Sequence, residues 1–192
     1  MKSDQIIVLA SFVVMWLQTV AFSIYLKKRH WSMAGTPPIN KALFKIAKAC
    51  MMLSWMGLFL EGTGLVPLSL WERPDAATVL SILFLIAGAA LQLGAYFELG
   101  HNLKFGIPSQ KEEKEATLKV TGLYRFSRNP MYVGFYLLML GACFYVLNPV
   151  VWIFSIFALI MHHRIVLKEE LFLKKRFGND WLDYSLKVRR YL

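Results

Sequence analysis

Met131–Val166, MYVGFYLLMLGACFYVLNPVVWIFSIFALIMHHRIV, is apolar at nearly every position until His162. Its one interior polar break is Asn148-Pro149. Each half is long enough for a helix that crosses most or all of a hydrocarbon core of about 30 Å, at about 1.5 Å per residue. Two residues cannot carry a chain back across a membrane. The halves therefore read as an antiparallel hairpin, Met131 to Leu147 and Val150 to about Val166, whose open ends lie near Arg128 and near Glu169 on one side.

Working outward, three further apolar stretches have the same character. Ile6 to Leu26 is interrupted only by Ser, Gln and Thr. It is too long for a signal-peptide core and reads as a retained helix. A second lies within Ala42 to Val66, where Lys45, Lys48 and Glu61 intrude and Gly62, Gly64 and Pro67 mark an outer turn. Ala76 to Phe97 is the third. The expected fold is all-α: an integral membrane protein with about five transmembrane helices, the last two a hairpin, followed by a cytoplasmic C-terminal helical segment.

Charge supports that count. Of 22 Lys and Arg residues, 20 fall in the segments 27–48, 98–130 and 162–192; the other two are Lys2 and Arg73. Five spans put all three basic segments on one side, which the positive-inside rule assigns to the cytoplasm. Hydrophobic residues make up 57% of the 192 and charged residues only 18%, with a mean hydropathy of +0.46. A soluble domain is less apolar and more charged. The basic residues flank apolar spans rather than forming a separate patch, which argues against nucleic acid as partner. Cys50 and Cys143 lie far apart in apolar surroundings with no metal-ligand spacing and read as buried structural thiols. His162 and His163 are neighbours, so they point to different sides of a helix, and His101 lacks a second ligand at useful spacing; no metal site is expected. Trp31, Trp71, Tyr124 and Trp181 fall near span ends, as an aromatic belt does. Residues 27–48 read as a basic connector, and the Lys111–Glu115 run as a solvated loop or short helix.

Polar chemistry collects on the cytoplasmic side. In Arg128-Asn129-Pro130, Pro at the first helical turn loses no hydrogen bond and Asn before it is a natural N-cap. The plain reading is a helix start with an arginine reaching the head groups. Glu169-Glu170 reads in the same plain way as a solvated helix face whose charge Arg164, Lys174 and Lys175 offset. The other reading uses their shared depth: Arg128 suits a carboxylate and a glutamate suits an ammonium, so a ligand with an amino-acid moiety satisfies both. Arg164, about 7–8 Å nearer the membrane than Glu169, suits the anionic head of a lipid.

VTGLYRFSRNPMYVGF (Val120–Phe135), followed by EELFLKKRFGNDWLDYSLKVRRYL (Glu169–Leu192), resembles the isoprenylcysteine carboxyl methyltransferase family and the related phospholipid N-methyltransferases. The resemblance runs from Leu99 onward. It implies an integral membrane methyltransferase that uses S-adenosylmethionine, with residues 76–192 as the methyltransferase core, made of spans three to five, a cytoplasmic loop and a C-terminal segment that covers the cofactor, and 1–75 as two N-terminal spans with their connector. It implies donor contacts at His101, Lys119, Val120, Gly122 and Tyr124, then at Arg128, Asn129, Pro130 and Tyr132, and finally at Glu169 and Glu170. Arg128, Glu169 and Arg164 are the expected catalytic residues. The face of Tyr132 or Tyr136 suits a sulfonium. The implied partners are the bilayer and a lipophilic methyl acceptor. Eukaryotic members usually have His where this chain has Asn129, so the sequence is similar to the bacterial branch, of the inner membrane. Two alternatives stand beside this reading. One is methylation of a phospholipid amine or a small thiol on the same fold. The other is a non-catalytic transport or assembly protein, which the near absence of ionisable residues within the spans disfavours.

Overall fold

The computed structural model describes residues 2–31, 33–108 and 117–192, without the side chain of His101. The Lys111–Glu115 run lies outside the described residues. The chain forms α1 (Ser3–Lys28), α2 (Lys41–Thr63), α3 (Asp75–Leu99), α4 (Pro130–Tyr145), α5 (Pro149–Phe177) and α6 (Asn179–Lys187), with single 3₁₀ turns at Gly100–Asn102 and Gly122–Arg125. Helices α1, α2, α3 and α5 are long and apolar enough to cross a membrane, and α4 is a shorter apolar helix. The protein is an all-α, multi-pass membrane protein. The hairpin is present, α4 leading into α5 through Val146–Asn148.

Local chemistry sets the helix ends. Asn40 accepts from the Ala42 and Leu43 amides at the start of α2, and Gly64 ends that helix in the left-handed region. In the hairpin turn, Asn148 Oδ1 accepts from the Val150 amide while its Nδ2 donates to Leu68 O, and Pro149 occupies the first position of α5.

Helices α3 and α4 make the most extensive contact in the molecule. Small residues permit it. A Cβ at Gly88 would collide with the Gly134 carbonyl and Leu138, one at Gly134 with the Gly88 carbonyl, and one at Gly141 with Leu85. The backbones thus touch, which is how helices gain packing energy where lipid removes the hydrophobic drive. Polar pairs add to it: Ser81 Oγ donates to Gly141 O, Ser54 pairs with Ser155, and Gln18 Nε2 donates to Gln92 Oε1.

Two polar ends bound the bundle. At one, Arg73 donates to Asp4, Thr78 and the Tyr145 carbonyl, and lies 3.8 Å from the centroid of the Tyr145 ring. Beside it Glu61, the one acid in an apolar stretch, accepts from the amides of Leu68 and Ser69 and from the Ser69 hydroxyl. The other end carries the basic segments. Here residues 29–40 are more than a connector. The Gly35 amide donates to Phe105 O and Phe105 N to Met33 O, while Thr36 and Ile107 exchange two bonds. Gly35 and Gly106 allow this clasp, since a Cβ on either would strike the opposing backbone, and Gly106 has φ +112°. Beyond its apolar part α5 continues to Phe177. Gly178, at φ +54°, turns the chain into α6, and residues 188–192 return along the bundle.

Candidate functional site

A cavity of about 150 Å³ opens at the basic end. Its wall comes from four places: Trp31 after α1, the 102–108 and 117–119 stretches, the start of α4 with the turn before it, and α5 with α6. Most of the surface is aromatic or aliphatic. Lys104, Lys119, Arg128, Asn129 and Glu169 bring polar groups to it.

Adjacent glutamates on α5 divide the work, because neighbours on a helix point about 100° apart. Glu169 faces the cavity. Its Oε2 accepts from the Tyr132 hydroxyl at 2.9 Å, while Oε1 is shielded from solvent with no hydrogen-bond partner among the described residues. Glu170 is buried beneath a latch. It accepts from Arg128 Nε at 3.1 Å and Nη2 at 3.3 Å, from Asn129 Nδ2 at 2.9 Å and from Arg190 Nε at 2.9 Å. The apolar crossing part of α5 ends near Val166, since any longer window that takes in Glu169 also holds Arg164 and Lys168. Burial pushes the Glu169 carboxyl up to about 7; the Tyr132 hydroxyl, the nearby Gly106 amide and the charge of Lys48 pull the other way. Burial would raise Glu170 too, but hydrogen bonds from Arg128, Arg190 and Asn129 outweigh it and hold that carboxyl below the ordinary range.

Arg128 also secures the C-terminal tail. Its Nη1 donates to Ser185 O and Val188 O, and its backbone amide to Arg189 O. Ser127 Oγ and Asn129 Nδ2 donate to Arg190 O. Tyr191 completes the strap, its hydroxyl bonding Tyr136 and His163. Burial pushes the Tyr191 hydroxyl up. Trp181 lies under the Arg128 guanidinium at 5.7 Å, and the Tyr184 hydroxyl donates to Tyr124 O at 2.6 Å.

The expected site residues fall into three groups. Lys119, Tyr124, Arg128, Asn129, Tyr132 and Glu169 line the cavity. Pro130 and Glu170 are buried just behind it. Val120 and Gly122 are exposed and outside the lining; Gly122, at φ +60°, lets the turn fold against Glu98, whose carboxylate accepts from Leu123 N. The side chain of His101 lies outside the described residues. Arg164 is exposed and away from the cavity: five residues turn a helix by about 140°, so sharing its depth with the site does not share its face.

Several plain readings need correction. Asn129 occupies the N-cap position of α4 without a side-chain cap bond, because its amide serves Glu170 and Arg190 O instead. The charge of Glu170 is met by Arg128 and Arg190, with Arg164, Lys174 and Lys175 exposed. Trp31, Tyr124 and Trp181 line the cavity rather than a belt. Tyr136 bonds the tail and not the cavity. Cys50 is buried but Cys143 only half-buried, both free. Sequence reasoning gave no role to Phe172, Phe177, Tyr184, Arg190 or Tyr191, although Phe177 and Tyr184 belong to the F-G-x-x-W-x-x-Y pattern that carries the resemblance. The i, i+3 pairing of Trp181 and Tyr184, the two buried residues of α6, was the available signal. Among the described residues no group of three His, Cys, Asp or Glu could hold a metal.

Comparison with known proteins gives this arrangement a context. Residues 76–180 match the family described as phospholipid methyltransferase. The chain is also similar to proteins named protein-S-isoprenylcysteine O-methyltransferase. It is 33% identical to that of Saccharomyces cerevisiae over 113 residues, 58% of this chain and 46% of that one. It is 28% identical to the Mus musculus protein over 141 residues, 70% of this chain and 47% of that one. It is 26% identical to the Homo sapiens protein over 139 residues, 70% and 46%. The chain spans about half the length of these curated relatives. No solved structure matches it. On the extent of the family match, the chain belongs to the phospholipid methyltransferase family.

Proposed function

We propose that this protein transfers a methyl group from S-adenosylmethionine to a lipophilic acceptor of the prenylcysteine-carboxylate kind, at the cytoplasmic face of a bacterial inner membrane. Residues 76–192 would form the methyltransferase core. One observation carries the reading: the cavity ends on a buried carboxylate oxygen, Glu169 Oε1, that has no hydrogen-bond partner among the described residues. A buried acceptor left open costs about 1–3 kcal/mol, so a donor group of a ligand is the natural partner.

The residues present fit the proposed donor. Glu169 would take the ammonium of its amino-acid part, and Lys104 and Lys119 bring cations for the carboxylate to the same wall. Tyr124, Tyr132, Phe172, Trp181 and Tyr184 offer flat faces to an adenine and a sulfonium. When bound, S-adenosylmethionine supplies an electrophilic methyl on a cationic sulfur. The chain's own contribution is then positioning and exclusion of water. Tyr132, held by Glu169, keeps its ring against the cavity. Arg128 keeps α6 and the tail closed over it, so its role is to position rather than to touch the carboxylate. A carboxylate acceptor arrives ionised and needs no base. Twenty of the 22 Lys and Arg residues fall in the segments 27–48, 98–130 and 162–192, which supports the cytoplasmic orientation.

Titration calorimetry of the protein in detergent with S-adenosylhomocysteine tests this. One saturable site, weakened in Glu169→Gln, is expected. Heat unchanged by that substitution would remove Glu169 from the site.

A further inference from the structure

Helix α6 presents three sides. Trp181 and Tyr184 are buried and line the cavity. Leu182 and Leu186 are exposed, Leu186 by 86%. At about 100° per residue these two lie roughly 40° apart, and about 150° round the helix from the Trp181–Tyr184 side. Asp180, Asp183 and Lys187, all exposed, fall on the third side. A short helix surrounded by water needs one apolar side, the one toward the protein. The second apolar side of α6 has no cover among the described residues.

The adjoining segment has the same character. The Tyr184 hydroxyl donates to Tyr124 O, Arg128 Nη1 to Ser185 O and Val188 O, and the Arg128 amide to Arg189 O. The 124–128 turn therefore lies against α6 and the tail that follows it. That turn carries Phe126, 66% exposed, with the Arg125 guanidinium 5.5 Å from its ring centroid. Arg125 and Arg189 are exposed cations of the same two segments.

Depth says what covers these groups. Phe126 comes just before α4, whose first residue is Pro130. Helix α4 has 16 residues, about 24 Å of length against a hydrocarbon core of about 30 Å. A helix that short cannot hold its leading turn clear of the bilayer, so Phe126 sits at the hydrocarbon boundary. The hydrogen bonds between the turn and residues 184–189 bring α6 to the same level. Exposed leucine and phenylalanine beside arginines at that depth match the head-group layer of an anionic leaflet, with the apolar groups inward and the cations on phosphate.

We propose that α6 is an interfacial helix: Leu182, Leu186 and Phe126 dip into the head-group layer of an anionic membrane, Arg125 and Arg189 bind its phosphates, and this contact holds the Trp181–Tyr184 side over the cavity. The lipid surface then regulates the site, because whatever favours closed α6 also favours the ligand beneath it. The effect on the donor rests on the methyltransferase reading above; the position of α6 does not.

The test places the full chain in nanodiscs of phosphatidylcholine, with and without phosphatidylglycerol. A nitroxide on Leu186→Cys reads depth, with the labelled parent, which holds only Cys50 and Cys143, as background. Calorimetry with S-adenosylhomocysteine reads the cavity. The label should collide with oxygen and be shielded from a water-soluble nickel chelate. Phosphatidylglycerol should tighten S-adenosylhomocysteine binding about fivefold, the equivalent of one cation at an anionic surface. Arg125→Gln combined with Arg189→Gln should remove that gain and keep the affinity measured in phosphatidylcholine, which also shows that the variant folds. A label open to the nickel chelate overturns the proposal. So does an affinity indifferent to phosphatidylglycerol, or a gain that survives the two substitutions. Shielding that appears only on dimerisation, seen by size exclusion in detergent, makes the cover a second copy and overturns it too. No S-adenosylhomocysteine binding in either nanodisc, with the label shielded, instead sinks the donor reading and leaves α6 at the interface.

Discussion

Glu169 and Glu170 are neighbours on α5 and belong to different structures: Glu169 bonds Tyr132 at the cavity, Glu170 ties Arg128, Asn129 and Arg190 beneath the C-terminal strap. One carboxylate keeps an oxygen without a hydrogen-bond partner among the described residues, and the other is saturated by the protein. Their substitutions therefore have different consequences.

Glu170→Gln should cost stability. It leaves the buried side of Arg128 unpaired, and breaking a buried pair costs about 3–5 kcal/mol. The expected result is a lower Tm in detergent and faster carboxypeptidase removal of residues 188–192. The pH dependence follows from the direction of its shift. A folded carboxyl held below its unfolded value contributes stability that is fully present above the unfolded value and is lost as pH falls through the folded one. The parent's Tm should fall in that acid range, and the Glu170→Gln variant should lack this component.

For Glu169 the prediction concerns binding. The carboxyl, raised to about 7, must be ionised to hold an ammonium. Affinity for S-adenosylhomocysteine should therefore rise as pH increases from about 6 to 8. In Glu169→Gln that slope should vanish. A parallel slope in the variant would show that another group controls binding.

The α3–α4 interface should not tolerate a side chain at Gly134. A Cβ there meets the Gly88 carbonyl and the Gln92 backbone amide, neither of which is a flexible end. Gly134→Val should destabilise by about 1–3 kcal/mol or more, read as a lower Tm or loss of folded protein on size exclusion. Normal Tm would mean that the helices are not in backbone contact.

Much of this was legible in the sequence. Apolar length gave the helices, and Asn148-Pro149 gave the hairpin because a two-residue break admits little else. Arg128, Tyr132 and Glu169 were visible as polar groups at the edge of apolar runs. Depth along a helix was readable, but direction around it was not. That is why Arg164 was grouped with Glu169, and why Glu169 and Glu170 could not be told apart. The clasp of Gly35 and Gly106 joins segments 71 residues apart and left no local pattern. The resemblance implied a covering C-terminal segment but not how it is tied down: residues 185–190 accept through backbone carbonyls, to which side-chain chemistry gives no clue.

Topology offers an independent check. The proposed orientation has the strap end in the cytoplasm. A reporter fused after Leu192 that is active only in the cytoplasm is the expected outcome in a bacterial host. Activity confined to the far side would invert the orientation.

The central claim is that this cavity holds a methyl donor through Glu169. Calorimetric titration of S-adenosylhomocysteine into the parent and into Glu169→Ala, both confirmed folded by Tm, tests it most directly. The account predicts one site in the parent and a loss of about tenfold or more in affinity in the variant, as expected when a charged partner is removed. Equal affinity in the two proteins, or no binding to the parent, would contradict it.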